Sequence, residues 1–277
     1  MVREIYYNAD SLQPALENSS LVMMMAAVLI YSIALGCLSV SWMLLLRNYQ
    51  GERFSLVASH QSYARSQIAK YLPGNVFHYA GRYALSRAMG ASDRAILSAT
   101  VEELFGVATV FAVCGAAAAS LGLPPGTQFF SLSLPVLSTV LAAALLVTRL
   151  LLGFKFWRGL QMATLSLSLM RCWGLFSLFL LLSLCVFLLL TNQFISLHDL
   201  AQFSTITAAF CLSWLLGFLV PGAPGGIGVR EAALLLLLQP LNLGAAAVVV
   251  VLQYRIVTSL GDLVFYASTF VIKGEAS

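Results

Sequence analysis

Two stretches of the chain combine a Pro-Gly break with a downstream arginine. They span 72–82 and 220–231, and in each the arginine, Arg82 or Arg230, stands eight positions after the glycine of Pro-Gly. Neither stretch can run as a straight helix through lipid, because proline lacks a backbone donor and glycine relaxes the backbone. Paired interruptions in two parts of an apolar chain are typical of a transporter site at a repeat interface. The breaks therefore predict where a binding site lies.

The second break has the chemistry of an anion site. Gly225, Gly226 and Gly228 precede a helix that we predict to begin near Val229. Backbone N–H groups at the positive end of a helix dipole favour an anion, and Arg230 adds a planar guanidinium suited to phosphate. Three glycines without a lysine do not make a nucleotide P-loop. An anionic headgroup therefore fits this break better than a nucleotide does.

The first break offers polar side chains on one helical face. Asn75, His78 and Arg82 recur at spacings of three and four, which places neighbours on the same side of a helix. A single histidine in a membrane segment is more often a hydrogen-bond partner than a ligand or catalyst. We therefore include these residues in the predicted binding site without assigning His78 a catalytic role.

Charged residues also occur inside apolar spans, where each costs a few kcal/mol unless it faces a partner or a cavity. Arg255 and Asp262 lie seven apart on one helical face. Acids and bases at similar depth predict ion pairs around a polar cavity, although such pairs could also merely hold the helices together. The charged residues in question are Glu102, Glu103, Arg230, Glu231, Arg255 and Asp262.

The composition indicates a membrane protein. Hydrophobic residues make up 60% of the 277 positions and charged residues only 9%, against about 25% charged in typical soluble domains. All five cysteines lie in apolar segments without a Cys-x-x-Cys motif, so we interpret them as packed side chains. The net charge of +4 requires no nucleic-acid partner. No motif predicts a metal or another cofactor.

The fold class that follows is an all-α, polytopic integral membrane protein, with a single transmembrane domain over 1–277. Such a domain would have about six to eight transmembrane helices, because a span needs roughly 20 apolar residues. The two broken or re-entrant elements are candidate internal repeats. We predict spans at 20–46, 95–122, 129–152, 172–192, 200–220 and 245–271, and half-length helices at 73–92 and 226–241.

Basic residues set the expected topology. Seven of the fifteen lie in 47–94, so we expect this amphipathic or re-entrant segment on the cytoplasmic side. Within it, 54–72 suits an amphipathic helix at the interface, or alternatively a basic connecting loop. The glycine-rich broken helix, 221–241, is too short beyond Arg230 to cross alone, at about 18 Å. It is either re-entrant or one part of a crossing.

The same motifs resemble the lysylphosphatidylglycerol synthase transmembrane region, a flippase-like membrane family, over roughly 47–270. This resemblance implies lipid handling in the bacterial cytoplasmic (inner) membrane. Members with a known role move aminoacylated phospholipids between leaflets, and relatives are associated with glycolipid or polysaccharide pathways. The resemblance rests on Tyr71-Leu72-Pro73-Gly74, Gly81-Arg82, Glu102-Glu103, Val220-Pro221-Gly222, Gly225-Gly226-Ile227-Gly228-Val229-Arg230-Glu231, Tyr254-Arg255 and Gly261-Asp262.

Two departures from the family pattern shape the expectation. The aminoacyl-transferase domain of bifunctional members is not found, so we expect a chain that is not an enzyme and does not attach lysine to lipid. The first break, with Asn75, Phe77 and His78, is compatible with a subgroup that carries a different cargo.

Together these features predict a transporter that moves an anionic or aminoacylated phospholipid, or a lipid-linked glycan precursor, between leaflets. Arg82 and Arg230 would contact phosphate and Arg255 would be a third cation. Glu102, Glu231 and Asp262 would neutralise the arginines or meet a cationic headgroup.

Three alternatives remain open at this point. A membrane-embedded transferase could use Glu102, Glu103 or His78 as acid or base. The chain could instead be an accessory subunit of an envelope lipid or polysaccharide pathway, or an ion channel. The expected partners are a lipid headgroup and, further, a second copy of the chain or an enzyme of envelope lipid synthesis.

Overall fold

A computed structural model of the chain describes residues 20–51, 54–72, 76–121, 167–195, 199–219 and 224–272. These residues form eight α-helices and three short 3-10 turns, and no strand occurs within the described ranges. The helices are α1 (Leu21–Gln50), α2 (Leu56–Gln67), α3 (Phe77–Ala88), α4 (Asp93–Ser120), α5 (Leu167–Thr191), α6 (Leu200–Leu219), α7 (Val229–Leu237) and α8 (Ala245–Val271). The 3-10 turns are Ile68–Tyr71, Pro224–Gly226 and Gln239–Leu241.

Five of the described helices, α1, α4, α5, α6 and α8, are long and apolar enough to cross a membrane. They confirm the all-helical, polytopic class and correspond to the spans predicted at 20–46, 95–122, 172–192, 200–220 and 245–271. The span predicted at 129–152 lies outside the described residues.

Serine caps begin three of these helices. Ser20, Ser55 and Ser92 precede α1, α2 and α4, and each hydroxyl accepts a hydrogen bond from the amide three residues on, at 3.4, 3.1 and 3.2 Å. These bonds satisfy amides that have no partner within the helix. At the other end of α1, Gly51 adopts a φ of 92°, which ends the helix.

Each of the two predicted breaks is followed by a helix that is too short to cross the membrane. Helix α3 has 12 residues and α7 has nine, so they measure only about 18 and 14 Å. The turn before α7 needs glycine, because Gly225 and Gly226 have φ of 55° and 74°, where a side chain is strained. The half-length helices predicted at 73–92 and 226–241 are therefore present as α3 and α7.

Helix α2 packs into the bundle through polar contacts. His60 Nε2 lies 2.8 Å from the Ser268 hydroxyl of α8, and the Gln61 side-chain amide donates to the carbonyl of Ile272 at 3.0 Å. Tyr63 on the same helix is buried, while Arg65 is exposed. These contacts hold α2, and the turn that follows it, against α8.

An aromatic cluster fills the space between α4, α5 and α6. The Phe111 and Trp214 rings stack with their centroids 4.1 Å apart, and Phe179 approaches both rings. Trp214 also stacks on Phe218, one turn later in α6, at 5.2 Å. Large aromatic surfaces packed in this way restrict side-chain motion. The cluster therefore gives the neighbouring cavity one rigid apolar wall.

Candidate functional site

A cavity of about 350 Å³ lies where the two broken elements meet. Its walls come from both breaks and from the long helices around them. Four basic side chains line it, and Glu103 is the acidic side chain among the described lining residues. The basic residues are Lys70, Arg82, Arg230 and Arg255.

The turns before α3 and α7 touch at this point. A methyl group built on Gly225 would lie 3.5 Å from Arg255 Nη2 and 3.7 Å from Lys70 Cγ. The 3-10 turns Ile68–Tyr71 and Pro224–Gly226, distant in sequence, thus lie against one shared space.

The structure brings most of the predicted site residues to this cavity. His78, Arg82, Gly225, Arg230 and Arg255 line it. Two further predicted acids, Glu231 and Asp262, pair with basic lining residues. The other two predicted glycines, Gly226 and Gly228, belong to the turn that leads into α7. Asn75 lies outside the described residues. The role of all these residues in binding remains a prediction.

Arg82 is enclosed by aromatic rings and a carboxylate. Its side chain is 2% exposed, and its Nη1 donates to Glu103 Oε2 at 2.5 Å. The guanidinium carbon lies 3.6 Å from the Tyr63 ring centroid and 5.0 Å from that of Trp42. The Tyr63 hydroxyl donates to the other carboxylate oxygen at 2.6 Å. Glu103 is therefore held by two donors, and Arg82 is stabilised by cation–π contacts as well as by charge.

Glu103, which the predicted site omitted in favour of Glu102, is the acid that faces the cavity. Glu102 is also buried in α4 but lies one position around the helix. Glu103 and Val107, four positions apart on one helical face, both line the cavity. The adjacent acids could not be distinguished by sequence, since an apolar residue follows each of them at helical spacing.

Lys70 is a second residue that the sequence prediction missed. Its Nζ lies 2.6 Å from Asp262 Oδ2, and the Tyr71 hydroxyl donates to the same oxygen at 2.5 Å. Asp262 is fully buried. The reason Lys70 faces inward is local, because α2 ends at Gln67 and the 3-10 turn changes the direction of the next side chains. An ideal amphipathic helix over this segment would not predict that direction.

Glu231 closes the first turn of α7. Its Oε2 accepts a hydrogen bond from the Gly228 amide at 2.6 Å, and its Oε1 lies 3.5 Å from Arg255 Nε. Arg255 also donates from Nη1 to the carbonyl of Gly225 at 3.3 Å. One amide of the predicted backbone anion site is thus engaged by a carboxylate of the chain itself. Anion binding at this break then depends mainly on the arginine side chains.

Arg230 is the lining arginine without a carboxylate partner. Among the residues that the structure describes, it makes no ion pair. Its guanidinium carbon lies 5.4 Å from the Trp214 ring centroid. Gly217 leaves space for its stem, since a methyl group there would lie only 3.1 Å from Arg230 Cβ. Trp214 and Gly217 on α6 therefore position the Arg230 side chain at the cavity.

His78 contributes a polar group without charge. It lies on α3, outside the five spanning helices, and is buried beside the cavity. Burial, followed by the positive charges of Arg82 and Lys70, lowers the pKa of His78 to about 3, so its ring is neutral near pH 7. Its Nδ1 is buried and has no hydrogen-bond partner in the described part of the chain. A neutral imidazole can donate one hydrogen bond and accept another.

Across the described ranges, no group of three or more histidine, cysteine, aspartate and glutamate residues is arranged to hold an ion.

Comparison with known proteins adds one match. The model of a family described as the lysylphosphatidylglycerol synthase TM region matches residues 6–265. No curated protein gives a significant match to the chain.

Proposed function

The chain belongs to the lysylphosphatidylglycerol synthase TM-region family, a lipid-handling family of multi-pass membrane proteins, and from this premise we propose that it moves a lipid between the two leaflets. The headgroup passes through the cavity between the two broken elements, while the hydrocarbon chains stay in the bilayer. The membrane concerned is the bacterial cytoplasmic membrane. The cargo is a phosphate-bearing lipid, either a phospholipid or a lipid-linked glycan precursor.

The single observation that carries this proposal is the set of four basic side chains around one cavity. Of the four, Arg255 lies on a spanning helix, α8, where a basic residue near the membrane centre costs about 2.5–3.5 kcal/mol on insertion scales. Apolar residues of similar volume would hold the helices together without that cost. Basic groups retained at such a cost support a role in binding a charged ligand.

The dimensions of the cavity favour a headgroup and not a whole lipid. At about 350 Å³, it lies at the lower end of the roughly 300–1,000 Å³ range of ligand pockets. Phosphate binds between Arg230 and Arg255, where guanidinium groups from α7 and α8 can each donate two hydrogen bonds. Tyr63 and His78 add uncharged polar groups at the opposite wall.

The ion pairs give the broken elements a means of responding to the ligand. Lys70–Asp262 ties the turn before α3 to α8, and Arg255–Glu231 ties α8 to α7. A phosphate that binds Lys70 or Arg255 competes with these carboxylates. Binding therefore loosens the links that hold the short elements, which lets them shift relative to the spanning helices.

This proposal includes no chemical step. Glu103, the lining acid that a transferase would need, already accepts hydrogen bonds from Arg82 and Tyr63. Both carboxylate oxygens are thus engaged by groups of the chain itself, which favours a structural role for Glu103 over acid–base catalysis.

The test uses purified protein in liposomes that contain a headgroup-labelled phospholipid, with leaflet accessibility followed over time. Arg230→Gln should slow lipid movement at least about tenfold, the effect of losing one charge-assisted contact. The matched control is Arg94→Gln, because Arg94 is exposed at the start of α4 and should leave the rate unchanged. Equal rates in all three proteins, each shown to be folded, would contradict the proposed site.

A further inference from the structure

The charges around the cavity do not balance. Each of the three acids at the cavity pairs with one basic residue: Glu103 with Arg82, Asp262 with Lys70, and Glu231 with Arg255. Arg230 is left without an ion pair among the described residues. Taken together, these seven described groups therefore carry an excess of one positive charge.

The acids are also poorly placed to receive a cation from a ligand. Asp262 is fully buried behind Lys70, and one oxygen of Glu231 is bonded to the amide of Gly228. Glu103 lines the cavity, but both of its oxygens already accept hydrogen bonds. A cationic group in the cavity would face Arg230, Arg255 and Lys70 in its lining, whereas each of these three acids already has a basic partner.

The longest segment outside the described ranges carries no acidic residue. Segment 122–166 contains three basic residues and no acidic residue. This segment therefore cannot provide the carboxylate that a cationic headgroup would need.

From this asymmetry we infer that the cavity selects lipids whose headgroup carries a net negative charge and rejects cationic aminoacyl headgroups. This inference rests on the proposed lipid movement and specifies its cargo. The shared chemistry is a phosphate ester joined to an uncharged hydroxylated group. Phosphatidylglycerol and a prenyl-phosphate sugar both have that chemistry. A lysyl ester of phosphatidylglycerol does not, because its two amines reverse the net charge.

Trp214 fits the uncharged part of such a headgroup. Its indole lies beside Arg230, at 5.4 Å, and is held in place by stacking on Phe111 and Phe218. The part of this rigid apolar ring that lines the cavity can contact the C–H groups of glycerol or a sugar, while the neighbouring guanidinium holds the phosphate. Arg230 and Trp214 together therefore determine specificity for both parts of the headgroup.

The experiment compares three labelled lipids in one set of proteoliposomes: phosphatidylglycerol, its lysyl ester and a prenyl-phosphate sugar. We expect at least one of the two anionic lipids to move about tenfold or more faster than the lysyl ester, because like charges in a low-dielectric cavity repel strongly. If phosphatidylglycerol moves, the cargo is a phospholipid; if the prenyl-phosphate sugar moves, the cargo is a lipid-linked glycan. Arg230→Gln should reduce this preference severalfold, whereas Arg94→Gln should preserve it.

A second measurement separates selectivity from transport. Short-chain forms of phosphatidylglycerol and its lysyl ester are added to the detergent-solubilised protein, and the shift in Tm is recorded. The anionic form should raise Tm more than the lysyl ester does. This difference between the two lipids should be smaller in Arg230→Gln. Equal or greater effects of the lysyl ester in both assays would overturn the inference while leaving lipid movement intact. Selective binding without movement of any lipid would overturn the proposed function and leave the selectivity standing.

Discussion

Arg82 and Arg230 both line the cavity, yet we expect them to differ in what they contribute to stability: loss of the acidic partner of Arg82 should be costly, and loss of the Arg230 charge should not. Arg82 is 2% exposed and Glu103 is 8% exposed, and Tyr63 bonds the same carboxylate. Glu103→Gln leaves a buried guanidinium without a carboxylate partner, a change that typically costs about 3–5 kcal/mol. Arg230 has no ion pair among the described residues, so Arg230→Gln should cost less than about 1 kcal/mol.

The assay is equilibrium unfolding of the detergent-solubilised variants. The double variant Arg82→Met/Glu103→Leu removes both charges and should recover most of the stability lost in Glu103→Gln, because no buried charge is left unpaired. The matched control is the exposed pair of Arg87 and Asp93, with side chains 50% and 58% exposed. Arg87→Gln should cost at most about 1 kcal/mol.

One result would refute this reasoning directly. If Glu103→Gln and Arg87→Gln destabilise the protein equally, the Arg82–Glu103 pair is not the buried structural link that its geometry indicates. If Arg230→Gln instead proves the more destabilising change, Arg230 has a structural role and is not the cation available to a ligand.

Two other substitutions test the positioning of the cavity cations. Gly217→Ala places a methyl group 3.1 Å from Arg230 Cβ, so it should slow lipid movement severalfold in the liposome assay. The control is Gly174→Ala, which should leave the rate unchanged because no atom lies within 4 Å of the added methyl group. Equal rates in the two variants would contradict the close contact. Lys70→Gln leaves the buried Asp262 carboxylate without its ion pair and should lower stability by about 3 kcal/mol or more, which the same unfolding assay measures; a loss below about 1 kcal/mol would mean that Asp262 is not paired as described.

The sequence predicted the elements of this site because backbone constraints are local. Proline and glycine interrupt helices wherever they stand, so the breaks before α3 and α7 could be located without knowledge of packing. The positive φ of Gly225 and Gly226 explains the glycine run. The same local logic identified five of the spans from their apolar length.

Side-chain partners could not be predicted in the same way, because they depend on how helices pack. Glu102 and Glu103 are adjacent and chemically identical, and only the rotation of α4 decides that Glu103 meets Arg82. Lys70 faces Asp262 because a 3-10 turn follows α2. The sequence does not distinguish Trp214 from other apolar residues of α6, because its contact with Arg230 depends on how α7 packs against α6.

The most direct test of the central claim is to locate a lipid headgroup in the protein. Membranes that contain the chain would be loaded with phosphatidylglycerol bearing a photoreactive diazirine on its headgroup, irradiated, and mapped by mass spectrometry. We expect adducts on cavity residues such as Leu104, Val107 and Trp214, and fewer of them in Arg230→Gln. Labelling confined to outward-facing side chains such as Leu181 and Leu263, which are 57% and 54% exposed, would show that the headgroup does not enter the cavity.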